Sequence, residues 1–422
     1  MDTTTPTLRD IRPAQGDWLA RHDASRADGP FELCDGQGEP WLRDVTFYVD
    51  DLGADLALSE RFRVACKGGV ATVETTGRYP FGAGISVKQA LRYAVNHVRV
   101  VTDVQFPPGS IVRRHLGLGG FTLPGRWRRF YCLPPALHLA EGRQGGWQDI
   151  PAEAPASGMI GHWHRPPLRL VFERDDGVRV EVGTGGDVWR WEQNFGFGPE
   201  AGNYKLRLEP GGLRLEREPL MTCAEVSPVA RIYRLTWYLA WEGPKGRRGD
   251  AAAAAVPEAV PVSFSARGEA MVRAAAGTAA SPALRLDLRD WPAPPQARRA
   301  ATPGDVAGER RDGGLCWESV AVQKAFRRII RQVAALGPEG TLVLCGLEPG
   351  LCWDPAHCQR RGAPQAHWDM DALLAVSVWT RQQLGLGWRI VVERGAVDTL
   401  PAESRLFEPT GFAAAGGEVA DD

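Results

Sequence analysis

From about residue 41 to about residue 290 the chain alternates apolar and polar positions with a period of two, the spacing that sends successive side chains to opposite faces of a strand. Leu168, Leu170 and Phe172 share one face, and Val178, Val180 and Val182 repeat the pattern beyond Asp175, Asp176 and Gly177, which predicts a hairpin. A second hairpin is predicted between Tyr204 to Leu208 and Leu213 to Arg217, where Gly211 and Gly212 after Pro210 tolerate the positive φ of a tight turn. The segment Arg231 to Trp241 carries Tyr233, Leu235, Trp237, Leu239 and Trp241 on one face and Ile232, Thr236 and Tyr238 on the other. A strand apolar on both sides belongs in the middle of its sheet. Arg92 to Val104 reads as another long strand, with Val98, Val100 and Val104 inward. Many strands joined by Gly and Pro turns, without intervening helices, predict a large antiparallel β-sandwich.

Two stretches break the pattern. Residues 242–260 hold a Gly, Lys and Arg cluster followed by five alanines, and residues 292–314 are rich in Pro, Gly and Arg. The second is the expected linker between a sandwich over residues 1–291 and a small α/β segment over 315–422. Beyond it the period becomes helical: Val322, Phe326, Ile329, Ile330, Val333 and Leu336 form one stripe that stops at Gly337 and Pro338. Thr341 to Cys345 reads as a buried strand, Asp369 to Leu384 as a helix, and Trp388 to Val392 as another strand. With Leu284 to Leu288 these make a β-α-β-α-β order and a small parallel sheet.

The 422 residues carry 50 basic and 51 acidic side chains, a net charge of -1 that offers no long-range field to nucleic acid or to an anionic membrane. No run of about 18 apolar residues is present, so no spanning helix is expected. The start, Met1 to Ala20, lacks an apolar core behind a basic end, so a cytoplasmic location is expected. Eight cysteines are too few for a disulfide scaffold. The 15 tryptophans supply flat amphipathic surfaces of the kind that stack on sugars or planar ligands.

Four groups of residues could carry chemistry. His97, Arg99 and Asp103 share parity on the 92–104 strand, and His115 stands with Arg113 on the next; imidazole and carboxylate on one sheet face suit acid and base work, though a half-exposed strand shows the same alternation. His162 and His164 flank Trp163 and point the same way on an extended segment, as two metal or substrate contacts would, or as exposed turn residues would. The loop after Cys345 brings Glu348, Cys352, Asp354, His357, Cys358, His367 and Asp369 to the carboxyl end of a strand, but in no standard zinc spacing, so no metal ligand is assigned and no cofactor is expected. Trp189, Trp191 and Glu192 lie in a Gly-rich stretch, where rings stack on sugars and carboxylates take hydroxyls, or where a sandwich edge buries its tryptophans. Dinucleotide, P-loop, serine-hydrolase, zincin and kinase signatures are all missing from the sequence.

The strand-rich stretch from about 30 to 290, with Asn96 to Val104, Gly109 to Leu116 and Arg126 to Leu133 in succession, resembles the large antiparallel sandwich of galactose-mutarotase-like carbohydrate-active proteins. The resemblance is one of pattern, covers the first two thirds of the chain and transfers no catalytic residue. It implies a broad concave sheet that handles saccharides, as an enzyme or as a binding module. A saccharide partner is therefore expected, with His97, Asp103 and His115 as catalytic candidates and Arg99, His162, His164, Trp189, Trp191 and Glu192 as ligand contacts. The alternatives are a non-enzymatic assembly protein and a metal-dependent enzyme built on residues 348–369. A homo-oligomer is compatible with all three.

Overall fold

The computed structural model describes residues 7–13, 17–49, 57–67, 70–80, 84–112, 116–134, 145–163, 167–185, 204–217, 225–226, 228–244, 258–277, 281–300, 314–354, 356–357, 367–393 and 401–404. The protein is mainly β, and contacts divide it into two compact units, one holding residues up to 245 apart from 67–70, the other holding 67–70 and 246–411.

The first strands are β1 (Leu8–Ile11), β2 (Trp18–Asp23), β3 (Phe31–Asp35), β4 (Pro40–Val49), β5 (Leu58–Lys67), β6 (Val70–Arg78), β7 (Ser86–Tyr93) and β8 (His97–Phe106). They are followed by β9 (Ile111–Val112), β10 (Leu116–Pro124), β11 (Arg129–Leu133), β12 (Gly146–Asp149), β13 (Met159–Trp163) and β14 (Arg169–Glu173). The set ends with β15 (Arg179–Thr184), β16 (Tyr204–Glu209), β17 (Gly212–Arg217), β18 (Glu225–Val226) and β19 (Arg231–Glu242). Eight form a sheet in the order β1-β2-β3-β4-β10-β17-β16-β13, and nine form a second in the order β12-β11-β14-β15-β19-β8-β7-β6-β5.

The inner faces of both sheets meet in one core. Trp18, Phe31, Leu42, Phe121 and Leu215 come from the first sheet, and Tyr93, Val98, Phe172, Val182, Trp237 and Trp241 from the second. Aromatic pairs join the layers: Trp18 meets Trp241 edge to face at 4.7 Å, and Phe31 stacks on Trp237 at 6.2 Å. Both expected hairpins are present, with Gly177 at φ 87° in one turn and Gly211 at φ 108° in the other. The β19 strand is central, with β15 on one side and β8 on the other, and from Leu235 onward it is buried on both faces.

One expectation needs correction. Residues 92–104 are not a single strand but a hairpin of β7 and β8, in which Ala94 N–H donates to His97 O at 2.8 Å. The turn contains no Gly or Pro, and Val95 within it is buried, so the apolar pattern runs through the reversal unbroken.

The second face of the nine-stranded sheet also buries charge. Arg169 donates from Nε to Glu181 Oε1 at 2.5 Å and from Nη2 to Oε2 at 3.1 Å, while Tyr238 donates to Oε1 at 2.9 Å. Glu181 is fully buried, and such a carboxylate persists only with matched donors around it. Next to it Glu173 accepts from Arg129 and Arg179. Burial alone would raise the Glu173 carboxyl, but the hydrogen bonds and charges of the two arginines outweigh it and hold it below the ordinary range.

The second unit contains β20 (Val260–Pro261), α1 (Val272–Ala276), β21 (Ala283–Asp287), α2 (Val320–Ala334), β22 (Gly340–Cys345), β23 (Leu351–Cys352), β24 (His367–Trp368), α3 (Met370–Leu384), β25 (Trp388–Glu393) and α4 (Pro401–Ser404). The β20, β21, β22 and β25 strands form a parallel sheet in that order. The stripe expected on α2 is its buried face, from Val322 to Val333. The expected boundary at 292–314 differs from the division by contact, because β20 and β21 hydrogen-bond into the parallel sheet and carry residues 246–291 with it. Among the described residues no helix is long and apolar enough to cross a membrane.

The Tyr238 ring reaches Glu181 by crossing Gly183, where an added Cβ would lie 2.0 Å from Tyr238 Cζ. Gly183→Ala is therefore expected to cost about 2 kcal/mol by overpacking. A lowered urea midpoint would show it, and an unchanged midpoint would contradict this packing.

Candidate functional site

Strand register orders the polar residues of the second sheet face into rows. Arg169, Gly183, Tyr238, Arg99 and Arg92 stand side by side across β14, β15, β19, β8 and β7. The adjacent row holds Val171, Glu181, Ala240 and His97. Arg234, Asp103 and Lys88 form a row at the other end of β8.

His97, Arg99 and Asp103 thus share a face, as their parity requires, but they do not share a site. His97 and Asp103 are six positions apart, about 20 Å along the strand. His97 is 1% exposed, and its Nε2 has no hydrogen-bond partner among the described residues. Burial lowers its pKa to about 3, so the imidazole is neutral at neutral pH. General acid and base work is best served by an imidazole that titrates near neutrality, so this burial does not favour the role expected for His97. The alternation along β8 gives no sign of this depth; opposite His97 on β19 stands the small residue Ala240.

Asp103 lies in a different setting. Arg234 grips its carboxylate with two parallel hydrogen bonds of 2.7 Å, Nε to Oδ1 and Nη2 to Oδ2. The carboxylate lines a groove of about 570 Å³, together with Thr76, Arg78, Ser86, Lys88, Gln105 and Ile232 from β6, β7, β8 and β19, and Glu60 from β5. Arg78 pairs with Glu60 at 3.0 Å. The groove exists because the ladder sets Arg78 opposite Ser86, Ser86 opposite Gln105, and Gln105 opposite Ile232. Five strands contribute, and only Asp103 among the lining residues was singled out from the sequence.

His162 belongs elsewhere. It is exposed on β13, the edge strand of the other sheet, opposite Lys205, while its neighbour Trp163 turns into the core. His162 therefore does not join the His97 and Asp103 face. His115, His164, Trp189, Trp191 and Glu192 lie outside the described residues.

The loop after β22 folds into the β23–β24 ladder, which sets Cys352 opposite His367, and buries Cys352, Asp354 and His357. Cys358 lies outside the described residues. Asp369 is a framework residue: it accepts from Gly350 N–H at 2.6 Å, from Trp317 N–H at 3.0 Å and from Arg299 at 3.4 Å, and so ties three segments together.

No family and no curated protein matches the chain. Solved structures similar to it include a galactose mutarotase related enzyme from Lactobacillus acidophilus, at 9% identity over 57% of this chain and 99% of that one, with a TM-score of 0.32. An α-galactosidase of glycoside hydrolase family 36 from Geobacillus stearothermophilus is similar at 11% identity over 88% of this chain and 63% of that one, with a TM-score of 0.34. A β-arabinopyranosidase is similar at 10% identity over 91% and 66%, with a TM-score of 0.35. These neighbours are of the kind the strand pattern resembles, and at such scores they decide nothing about a site.

The buried imidazoles make stability depend on pH. The His97 pKa falls from 6.5 to about 3 on folding, and His22, buried against Tyr93, behaves alike. Below pH 6.5 the unfolded chain binds protons that these folded imidazoles refuse, so their contribution is lost as pH falls toward 3. Asp28 acts in the opposite sense, because burial raises its carboxyl to about 6 and favours the folded state as pH drops through that value. His97→Leu removes one of these terms and leaves the other two. Its stability, followed by urea unfolding, is expected to fall less than wild type between about pH 6.5 and about pH 4.5, by on the order of 2 kcal/mol. Identical pH profiles would mean that folding leaves the His97 imidazole free to titrate as it does in the unfolded chain.

Proposed function

We propose that the protein binds a saccharide in the groove at the Asp103 end of β8. The lining carries this reading. Asp103 and Glu60 accept hydrogen bonds, Lys88 and Arg78 donate them, and Ser86 and Gln105 do both, around a volume of about 570 Å³. A sugar ring presents hydroxyls that donate and accept, and small-molecule sites commonly span roughly 300 to 1,000 Å³. Arg234 occupies two of the roughly four acceptor positions of the Asp103 carboxylate and fixes its plane, which leaves oriented lone pairs for a ligand. Ile232, 65% exposed at the rim, offers an apolar surface to the carbon face of a ring.

The role proposed is binding. His97 is too distant and too deeply buried to act with Asp103 on one ligand, and Arg99 lies about 13 Å along the strand from it. Trp189, Trp191 and Glu192 remain proposed ligand contacts on the strength of their residue types alone.

Calorimetric titration with a panel of mono- and oligosaccharides is expected to find a ligand at millimolar concentration or below. Asp103→Asn is expected to weaken it about tenfold, the value of a hydrogen bond to a charged acceptor. Lys88→Ala is expected to weaken it in the same direction. A panel without any heat of binding, or a ligand whose affinity both substitutions leave unchanged, would overturn the proposal.

A further inference from the structure

Two crossover loops of the second unit leave the same end of its parallel sheet. The first follows β21 and ends at α2; the second follows β22 and ends at α3. Loops at the carboxyl ends of parallel strands are where such sheets build their sites. The first loop brings Cys316 and the second brings Cys352 and His357, and the ligating atoms of the three all lie within 4.8 Å of one another. All three side chains are buried. Sulfur and imidazole donors are the types that hold zinc, and tetrahedral coordination at the usual bond lengths spaces such donors about 3.5 to 3.8 Å apart. Cys352 Sγ and His357 Nδ1 are already 3.2 Å apart.

The surroundings orient these donors. His357 Nε2 hydrogen-bonds to the backbone carbonyl of Gln296 and lies 3.5 Å from Asp354 Oδ2. Both are acceptors, so the ring proton belongs on Nε2, and the Nδ1 lone pair is turned toward the two thiols. A ligating histidine is held in this way, its outer nitrogen donating to a carbonyl or carboxylate. The frame behind is continuous. Cys316 N–H donates to Ala297 O at 3.1 Å, and Trp353 N–H donates to Ala300 O at 2.9 Å. Asp369 then clamps Trp317, next to Cys316, and Gly350, just ahead of Leu351 and Cys352.

We propose that Cys316, Cys352 and His357 form a zinc site, with Asp354 and the Gln296 carbonyl as the outer partners of the imidazole. Among the described residues no fourth donor joins the three. The loop alone did not reveal the site, because its third donor comes from the segment before α2, 36 residues upstream of Cys352.

Elemental analysis of the full chain purified under reducing conditions, with cobalt(II) as the spectroscopic probe after chelation, tests the proposal. The expected result is one zinc per chain and, on adding cobalt, a thiolate-to-metal charge-transfer band together with the visible bands of tetrahedral cobalt. Cys316→Ser and Cys352→Ser should each weaken zinc by more than about a hundredfold, the upper range for loss of an outer partner, and Asp354→Ala by about ten- to a hundredfold. Cys66→Ser, at an exposed cysteine, should leave the stoichiometry unchanged. Wild-type protein that takes up neither zinc nor cobalt overturns the proposal, as does a Cys316→Ser protein that keeps its zinc. Should the serine variants fail to fold, the wild-type cobalt spectrum decides alone, since a spectrum without thiolate charge transfer has the same force.

Discussion

A pleated strand must send consecutive side chains to opposite sides, and this constraint governs the first unit. In β19 it places Trp237, Leu239 and Trp241 in the inter-sheet core, Leu235 in a second buried cluster with Phe47 and Val104, and Thr236, Tyr238 and Ala240 on the other face. Pairing then transmits the choice to the neighbours: Glu181 and His97 flank Ala240, and Gly183 and Arg99 flank Tyr238. A shift of one residue in any of these ladders would turn the charged row into the core and expel the tryptophans. The positions of the polar groups are therefore consequences of apolar burial on the opposite side, and every residue of the second face inherits its place from it.

Burial of that second face sets a harder condition. Arg169 and Glu181 are close to fully buried, and an unmatched charge there would be costly. The arrangement is matched: two guanidinium hydrogen bonds and one phenol hydroxyl converge on a single carboxylate, and Gly183 removes the side chain that would block the phenol. A well-packed apolar set could fill the same volume at comparable stability, so the network is better understood as fixing register than as adding to stability. Slippage of β14 against β15 would separate Arg169 from Glu181 and leave both buried and unpaired.

Local patterns carried most of the architecture. The hairpin at Asp175 to Gly177, the central strand 231–242 and the helix stripe from Val322 to Val333 were legible because each depends on residues close in sequence. The turn at Ala94 to Asn96 was not, since it uses no turn-forming residue except Asn96 and buries Val95. The candidate sites were legible only in part. Parity correctly put His97 and Asp103 on one face, yet parity says nothing of depth, and their surroundings differ because Ala240 faces one and Arg234 the other. His162 was expected as a ligand contact, and strand order places it in the other sheet from His97 and Asp103. Cys316 was invisible for the same reason: its neighbours are supplied by a second loop, and only the parallel register of β21 with β22 brings the two loops out at one end.

Depth also decides which carboxylate can meet a ligand. Glu181 is enclosed, and its oxygens are engaged by Arg169 and Tyr238, so its acceptor capacity is largely spent on the fold. Asp103 is gripped from one side only, by the arginine beside it on β19, while its other side borders the groove. Both are ion-paired to an arginine, and a list of salt bridges would not separate them. What separates them is the remaining hydrogen-bonding capacity and its direction: closed on every side at Glu181, and open at Asp103 toward a space lined by donors and acceptors of both kinds. A carboxylate held in a fixed plane by one partner keeps acceptor positions on its other side, and the ladder that sets Lys88 opposite Asp103 adds a cation within the same row.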